Sequence, residues 1–421
     1  MFSIKNEKKW IKITLLVIII LSFAVNLYVI FSYGDYFLLG SMEKLNNDDV
    51  RYIRTAHVLL DKGILVDLDV NTPTVSEMPG HAILLASLLK LFGDTGGITA
   101  FRVFQAVLQA FCVFLIFLIC REVFNSRIGV LASFADVLYI PEISSVGLIL
   151  TEIEFKFCLL LLVYISIFAV KTRQMKYYVS GGILWGFTCM FRPTIALFPA
   201  VILVMWLIYK YTFREILKYA LSVVLIFSVI MAPWWIRNYI DFNQFIPLTL
   251  GSGNPLLLGT YIDYDQTKDF THYSAQKDAI KTDEVETQTA KYRLKTYFKK
   301  YPWQYIRWYT IGKTWHLWRY PFYWKQVLGV SFMTVQQYHR LILLLGTFGM
   351  FLCALTKNRP SGFIVFTLLY FTAIHLPYFT FSRYAYPVAS LFIILFAYSV
   401  YQIVSKALSY TSFNRKYAPS E

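Results

Sequence analysis

Long apolar runs separated by short charged connections dominate the chain. The first run, Ile13 to Phe31, is long enough to cross the hydrocarbon core of a bilayer as a helix. Similar runs recur along the sequence, and about ten transmembrane helices are predicted. The predicted helices are Ile13–Phe31, Phe101–Cys120, Ile128–Ile140, Leu150–Val170, Tyr177–Phe191, Ile195–Tyr209, Tyr219–Trp235, Leu341–Leu355, Phe363–Phe379 and Tyr384–Val404. The pattern predicts an all-α polytopic membrane protein with one integral membrane domain over residues 1–421.

Two long polar segments, residues 34–99 and 240–337, interrupt this pattern. The first contains "LNNDDVRYIRTAHVLLDKG", in which Asn46 or Asn47 caps a helix and Gly63 ends it. The second contains "DEVETQTAKYRLKTYFKKYPWQYIRWYTIGKTWHLWRY". That stretch predicts a charged amphipathic helix, a break at Pro302 and an aromatic segment along the membrane surface.

Composition and charge agree with a membrane protein and argue against nucleic-acid binding. Hydrophobic residues make up 57% of the chain and charged residues only 15%. The net charge of +15 lies in short clusters between apolar runs, rather than in one basic patch. The five cysteines all fall inside apolar runs, so neither a disulfide framework nor a metal cluster is predicted.

The basic clusters also predict the orientation. Alternate connections carry "KNEKKWIK", "REVFNSR", "KTRQMK", "KYTFREILK", "KNR" and the tail "SFNRKY". By the positive-inside rule these connections are cytoplasmic, as are both termini, and the two long polar segments are extracytoplasmic. The first apolar run is longer than a signal-peptide core and no small-residue cleavage site follows it, which favours an uncleaved signal anchor. The compact chain and the lack of cysteines in the outer segments favour a bacterial plasma membrane.

Four arginines depart from the positive-inside pattern: Arg102, Arg192, Arg237 and Arg383 lie at the outer ends of predicted helices. A guanidinium at membrane depth is costly unless it is paired. Each arginine alone fits snorkelling to the interface or pairing with a buried carboxylate such as Glu152. Four on one boundary favour a shared anion, and arginine binds phosphate through a fixed fork of N–H donors.

The acids of the first polar segment have two interpretations. Asp48 and Asp49 fall in the first turn of the predicted helix, where they complement the helix dipole. Alternatively, a carboxylate facing a cluster of arginines accepts a proton from an acceptor hydroxyl while a phosphate leaves. Glu77 either orients the acceptor or sugar or caps the helix that begins at Pro79, and Glu152 is a sugar contact or the partner of an arginine.

The chain resembles the multi-spanning C-type (GT-C) glycosyltransferases, in the group that holds protein O-mannosyltransferases and the aminoarabinose transferases of lipid A. The resemblance lies in ordered pieces along most of the chain. They are "DDVRYIRTAHVLLDKG", "EMPGHAILLASLLKLFG", "FRVFQAVLQAF", "LTEIEFKFCLLLLVY", "GGILWGFTCMFRPT", "APWWIRNYIDFNQFIPLTLGSGNPLLLGTY" and "RYAYPVASLFIILFAY". It implies a GT-C-like helix bundle whose extracytoplasmic loops carry short interfacial helices. It also implies a polyprenyl-phosphate sugar donor and a catalytic base in the first loop, which matches Asp48.

One departure from the family concerns the donor phosphate. The lipid A transferases carry a basic residue before the proline of the "PG" segment, where this chain has Met78. The outer arginines or Lys313 are the candidate replacements. The implied reaction inverts the anomeric carbon. It needs no second acid, because a phosphate with a second pKa of about 6 leaves as a stable anion.

No cofactor is required by this reaction, and no metal site is predicted. The outer segments hold two D-x-D spacings, "DLD" at Asp67 and "DYD" at Asp263. Such pairs can hold a divalent metal ion through carboxylate oxygens, but they are frequent by chance, and we favour the interpretation as solvated loop acids. The acceptor is left open among protein, lipid, teichoic acid and polysaccharide. The alternative function is a transporter or flippase of lipid-linked glycans, although transporters place charges near the bilayer midplane on broken helices.

Overall fold

The computed structural model describes residues 2–67, 69–274 and 279–416, and within them the chain is helical with no β-strand. In chain order the α-helices are α1 (Lys9–Tyr33), α2 (Asp48–Lys62), α3 (Gly80–Val123), α4 (Ser126–Val137), α5 (Ile140–Ser145), α6 (Glu152–Thr172), α7 (Met175–Phe191), α8 (Pro199–Ile208), α9 (Phe213–Phe242), α10 (Gly253–Gly259), α11 (Ala279–Lys300), α12 (Pro302–Arg307), α13 (Lys313–Trp318), α14 (Phe332–Leu355), α15 (Gly362–His375) and α16 (Ser382–Lys416). A π-helical turn, Trp308–Gly312, joins α12 to α13, and short 3₁₀ turns occupy Gly34–Phe37, Pro193–Ile195, Ile262–Tyr264 and Arg359–Ser361.

The predicted all-α membrane fold is confirmed, and each of the predicted apolar runs corresponds to one helix. Among the described residues, 6 helices are long and apolar enough to cross a membrane. They are α1, α3, α6, α9, α14 and α16. The other predicted crossings are the shorter helices α4, α7, α8 and α15.

The first polar segment is more helical than its composition indicates. Helix α2 has the predicted ends: the Asn47 side chain accepts a hydrogen bond from the Asp48 N–H, and Gly63 adopts a left-handed φ of 73°. The helix predicted to begin at Pro79 starts at Gly80 and continues into the predicted Phe101–Cys120 helix, so that both belong to α3. A non-helical φ of 72° at Gly93 separates the two parts. The first part forms because the residues after Gly80 bury an apolar stripe against α2.

The start of α3 lies directly against the end of α7. A Cβ added at Gly80 would lie 2.6 Å from the carbonyl oxygen of Met190, so only glycine permits this approach. Glu77 precedes this contact by three residues along the chain, and Arg192 follows it by two. The close contact therefore holds the loop that carries Glu77 beside the end of α7.

The segment before α1, the end of α3 and the end of α6 lie together at one end of the bundle. At that end Ser126 donates to Glu7 at 2.8 Å, and the Lys171 ammonium donates to the Glu122 carbonyl at 3.0 Å. Helices α6 and α16 begin at the opposite end, where Glu152 and Arg383 meet. The predicted site residues Glu152 and Arg383 therefore lie at the end of the bundle opposite the N-terminal segment.

Apolar packing between α3, α4, α6 and α16 forms the centre of the bundle. Phe117, Leu160, Leu391 and Ile394 are all fully buried there. In a bilayer the lipid tails are as apolar as these side chains, so close van der Waals packing and interhelical polar contacts hold such helices together.

A buried ionic group, absent from the sequence-based predictions, lies inside this bundle. The Lys156 ammonium of α6 is 2.8 Å from a carboxylate oxygen of Glu142 and 3.6 Å from one of Asp136, and all three side chains are almost completely buried. From α16, Ser390 donates to Asp136 at 2.8 Å and Tyr386 donates to Glu142. We call these five residues the Lys156 cluster. Charges at this depth need partners, and the cluster supplies them from four helices.

The second polar segment folds as the sequence predicts, with α11 ending before Pro302 and α12 beginning at that residue. Its centre is Arg293, whose guanidinium lies 3.6 Å from the ring centroid of Tyr261. Arg293 also pairs with Asp269 at 3.0 Å and donates to the Thr260 hydroxyl at 2.8 Å. These contacts fasten α11 to the loop beside α10.

Candidate active site

A polar cavity of about 180 Å³ lies where α2, α6 and α16 begin and α7 ends. Its wall combines residues from these helices with the loop that precedes α3. The lining residues are Asp48, Tyr52, Ser76, Glu77, Met78, Thr151, Phe191, Arg192, Pro193, Thr249, Arg383 and Tyr384. Acidic and basic side chains therefore face one partly open cavity near the end of the bundle.

Asp48 is the cavity carboxylate with the most open surroundings. It occupies the first turn of α2, and its side chain keeps 41% exposure. One of its oxygens accepts a hydrogen bond from an Nη of Arg383 at 2.5 Å. The charge is stabilised by the helix N-terminus and by the guanidinium, while the remaining oxygen surface faces the cavity.

Asp49 points away from the cavity. Its carboxylate accepts hydrogen bonds from the backbone N–H groups of Leu39 at 2.6 Å and Gly40 at 3.2 Å, and the residue is fully buried. Neighbouring helical positions differ by about 100° in direction, which explains why two adjacent acids have different surroundings. Asp49 fastens the segment after α1 to the start of α2.

Two of the four outer arginines meet at the cavity. Arg383 donates to Glu152, and Arg192 lies 3.4 Å from the same carboxylate oxygen. Glu152 is 2% exposed, so its charge is compensated almost entirely by these guanidinium groups. Arg192 also lies 5.7 Å from the ring centroid of Tyr384. Glu152 therefore holds two guanidinium groups side by side at the cavity wall.

Glu77 is a cavity carboxyl with a perturbed proton affinity. Burial, followed by the negative charges of Asp48 and Asp67, raises the pKa of Glu77 from 4.5 to about 8. Its loop is held by the N–H of Leu250, which donates to the Val75 carbonyl at 3.0 Å. With a pKa of about 8, the Glu77 carboxyl is mostly protonated at neutral pH.

This perturbed acid predicts a pH dependence of stability. Between pH 4.5 and about 8 the folded protein retains the Glu77 proton while the unfolded chain releases it. The free energy of unfolding therefore falls as pH rises through this window. Glu77→Gln cannot ionise, so we expect a flatter profile of apparent Tm against pH in lipid nanodiscs. Superimposable profiles for the two proteins would contradict the assignment.

The other predicted ligands lie outside the cavity wall. Arg102 donates to the Gly147 carbonyl at 3.0 Å and lies 3.8 Å from Asp35. Arg237 pairs with Asp241 at 2.8 Å and donates to the Thr74 carbonyl at 2.8 Å. The predicted convergence of four arginines is therefore seen for two of them. Binding of substrate by Arg102 or Arg237 stays a prediction.

Lys313 is also surrounded by its own partners. Its ammonium donates to the carbonyls of Leu376 at 2.7 Å and Tyr378 at 3.0 Å, at the end of α15. Burial lowers the pKa of Lys313 to about 7. These carbonyls satisfy the ammonium without a carboxylate, and its predicted contact with a phosphate remains untested.

Several cavity residues were not identified from the sequence. Tyr52 lies four residues after Asp48, which places both on one face of α2, and Tyr384 follows Arg383 directly. The spacing of four residues from Asp48 could therefore have identified Tyr52 from the sequence. Thr249 comes from a loop far away in sequence, and only the folded chain brings it to the cavity.

The acids of the D-x-D spacings have protein partners. Asp67 lies 3.9 Å from Arg51, and Asp265 lies 3.3 Å from Lys268. Leu68, within the first spacing, is outside the described residues. Across the described ranges no group of three or more His, Cys, Asp or Glu side chains is arranged to hold a metal ion.

Comparisons with known proteins agree with the resemblance drawn from the sequence. Residues 74–236 match the sequence model of the dolichyl-phosphate-mannose-protein mannosyltransferase family. This range includes Glu77, Glu152 and Arg192, while Asp48 and Arg383 lie outside it. No curated protein sequence matches the chain significantly.

The fold is similar to that of solved membrane glycosyltransferases. The archaeal oligosaccharyltransferase AglB from Archaeoglobus fulgidus, in complex with an inhibitory peptide and a dolichol-phosphate, matches with a TM-score of 0.57 and 14% identity over 98% of this chain and 53% of that chain. Its apo form gives 0.56 and 14% identity, covering 100% of this chain and 53% of that chain. ArnT from Cupriavidus metallidurans, bound to undecaprenyl phosphate, gives 0.44 and 13% identity, covering 90% and 77%.

The two oligosaccharyltransferase matches confirm the GT-C-like fold predicted from the sequence. The chain spans about half the length of the oligosaccharyltransferase chains that it matches. At 14% identity the likeness establishes the fold and leaves the reaction to be argued from the cavity itself.

Proposed function

We propose that the protein is an inverting glycosyltransferase that moves a sugar from a polyprenyl-phosphate donor to an acceptor nucleophile. The observation that carries this proposal is the cavity in which an accessible carboxylate, Asp48, lies beside two guanidinium groups, Arg192 and Arg383. A base and an anion-binding pair within one small space are the groups that displacement of a phosphate by a hydroxyl requires.

The arginine pair suits a phosphate because it is already assembled. Glu152 holds both guanidinium groups, so little side-chain ordering is needed when the donor binds. The two guanidinium groups balance the charges of Glu152 and Asp48, so net positive charge appears at the leaving phosphate when Asp48 takes up the acceptor proton. It also compensates for Met78, which lines the cavity where related transferases place a basic residue.

In the proposed reaction Asp48 accepts the proton of the acceptor hydroxyl. The acceptor oxygen forms a bond to the anomeric carbon while the bond from that carbon to the phosphate oxygen breaks. The electron pair of the broken bond stays on the phosphate, where Arg192 and Arg383 stabilise the added charge. Because attack and departure occur on opposite faces of the sugar, the anomeric centre inverts.

Glu77 has a separate role in this scheme. With a pKa raised to about 8 it is protonated at neutral pH, so it is unsuited to accept a further proton. It instead donates a hydrogen bond to a sugar or acceptor oxygen within the cavity. In this scheme the different surroundings of the two carboxyl groups give them different roles: Asp48 accepts a proton and Glu77 donates a hydrogen bond.

The comparisons support a lipid-linked donor. The matching family is described as using dolichyl-phosphate-mannose, and the AglB structure contains a dolichol-phosphate. The distribution of lysine and arginine supports an extracytoplasmic cavity and cytoplasmic termini in a plasma membrane. The acceptor belongs to the protein, lipid or cell-envelope polymers found on that side.

A direct test combines a cellular and a purified assay. Mass spectrometry of cell envelopes with and without the gene should show one glycosyl mass that disappears. The purified protein in detergent should then consume the matching polyprenyl-phosphate sugar and release polyprenyl phosphate when the envelope acceptor is added. A flippase of lipid-linked glycans performs no such chemistry in detergent, so an unchanged donor with every sugar tested would reject the transferase.

A further inference from the structure

The exposed face of the second half of α11 is strongly basic. Lys291, Lys295 and Lys299 recur every four residues, so they share one helix face, and all three are exposed. None of them pairs with a carboxylate within the ranges that the structure describes. Residues 287–300 contain no acid at all. A lysine stripe without counter-ions attracts an anionic partner.

Aromatic side chains lie among these lysines. Tyr292 is 59% exposed and Phe298 is 42% exposed, and helical geometry places both at the edges of the lysine stripe. Beyond the end of α11, three large apolar side chains are even more exposed: Trp303, Ile311 and Trp315. Lysine together with exposed aromatic rings is typical of a helix that lies in the head-group region of a membrane.

The charge distribution along α11 indicates which anionic partner the lysines bind, and it favours a membrane over a soluble polyanion. The first half of the helix, which lies nearer the cavity, contains Asp283, Glu284 and Glu286. Asp283 accepts a hydrogen bond from the Gly251 N–H at 3.0 Å, two residues after the cavity residue Thr249. A basic surface that guides an anionic acceptor into the cavity would carry its positive charge on the first half of α11. The lysines instead adjoin the exposed aromatic segment.

We propose that the second half of α11 docks on the membrane surface beside the cavity by binding anionic phospholipid head groups. Each lysine near such a surface raises the ratio of membrane-bound to free helix about fivefold, so three lysines raise it about a hundredfold. Docking also restrains the loop that carries Thr249, because Asp283 fastens that loop to α11. This inference depends on the fold and is independent of the proposed transferase reaction.

Hydrogen–deuterium exchange of the full chain in lipid nanodiscs tests this proposal. We compare phosphatidylcholine discs with discs that also contain phosphatidylglycerol. The variants are a charge-removing triple substitution (Lys291→Gln, Lys295→Gln, Lys299→Gln) and a charge-retaining control (Lys291→Arg, Lys295→Arg, Lys299→Arg). We expect the α11 amides of the wild type and the arginine control to exchange at least about tenfold more slowly with phosphatidylglycerol, and high salt to reduce the difference.

The glutamine variant should show no response to phosphatidylglycerol. Equal exchange of wild-type α11 in both discs, or a full response in the glutamine variant, would overturn the proposal. Inorganic polyphosphate added to phosphatidylcholine discs provides the second arm. Slower exchange with polyphosphate, but not with phosphatidylglycerol, would assign the stripe to a soluble polyanion and reject lipid docking.

Discussion

Asp48→Asn will reduce sugar transfer by a hundredfold or more while the protein still folds and binds donor. The substitution preserves the size of the side chain and its place in the first turn of α2, but it removes the proton acceptor. Loss of a general base typically costs about 10²–10⁴ in rate. The measurement is single-turnover transfer from a polyprenyl-phosphate sugar by the purified variant, with donor binding determined separately.

Asp49→Asn is the matched control, since it makes the same change one residue later. Its carboxylate accepts two backbone hydrogen bonds outside the cavity, so the expected effect is on stability, about 1–3 kcal/mol. The transfer rate of the folded fraction should stay near that of the wild type. Near-normal transfer by the Asp48 variant rejects the assignment, and loss of transfer only in the Asp49 variant moves the base by one residue.

Arg383→Ala will weaken transfer by about 10²–10³, the range found when one donor to a developing negative charge is removed. Arg383 contacts both Asp48 and Glu152, so the substitution removes a phosphate ligand and leaves Glu152 with Arg192 as its remaining cation. Arg383→Lys should recover part of the rate, because a lysine restores charge without the two-pronged geometry of a guanidinium. Initial rates over a range of donor concentrations measure both effects.

A neutral double variant separates charge balance from catalysis. In Glu152→Gln with Arg383→Gln the buried acid and one of its cations are removed together, which restores the local balance of charge. We expect this variant to recover thermal stability relative to Arg383→Ala but not transfer. Recovery of transfer by the double variant would show that Arg383 serves only to neutralise Glu152.

The sequence predicted the helices of the fold well, because bilayer-spanning helices leave long apolar runs. It also predicted the ends of α2 and the break at Pro302, which depend on neighbouring residues. It predicted a helix that begins at Pro79, but not that this helix continues into the membrane helix that starts at Phe101 as one element, α3. The first part of α3 is stabilised by tertiary contact with α2, a stabilisation that no local pattern reveals.

The candidate site was predicted less completely than the fold. Position in the sequence shows how deep an arginine lies along a helix but not which way its side chain points across the bundle. Arg192 and Arg383 share a carboxylate, whereas Arg237 finds Asp241 one turn away on its own helix. The Lys156 cluster escaped prediction for a related reason, since its members come from separate helices and meet only in the folded bundle.

The charges of α6 have a consequence for how the chain is made. In its first two turns this helix carries Glu152, Glu154 and Lys156, and inserting a charged residue is unfavourable, by about 2.5–3.5 kcal/mol when it lies at the helix centre and by less near an end. The acidic partners of Lys156 precede it in the chain, so its ion pairs can form as soon as α6 leaves the ribosome and enters the membrane. Glu152 meets its first cation, Arg192, after the next helix, whereas its second cation, Arg383, is synthesised 231 residues later. Membrane insertion of the last helix therefore also completes the neutralisation of an acid that entered the bilayer much earlier.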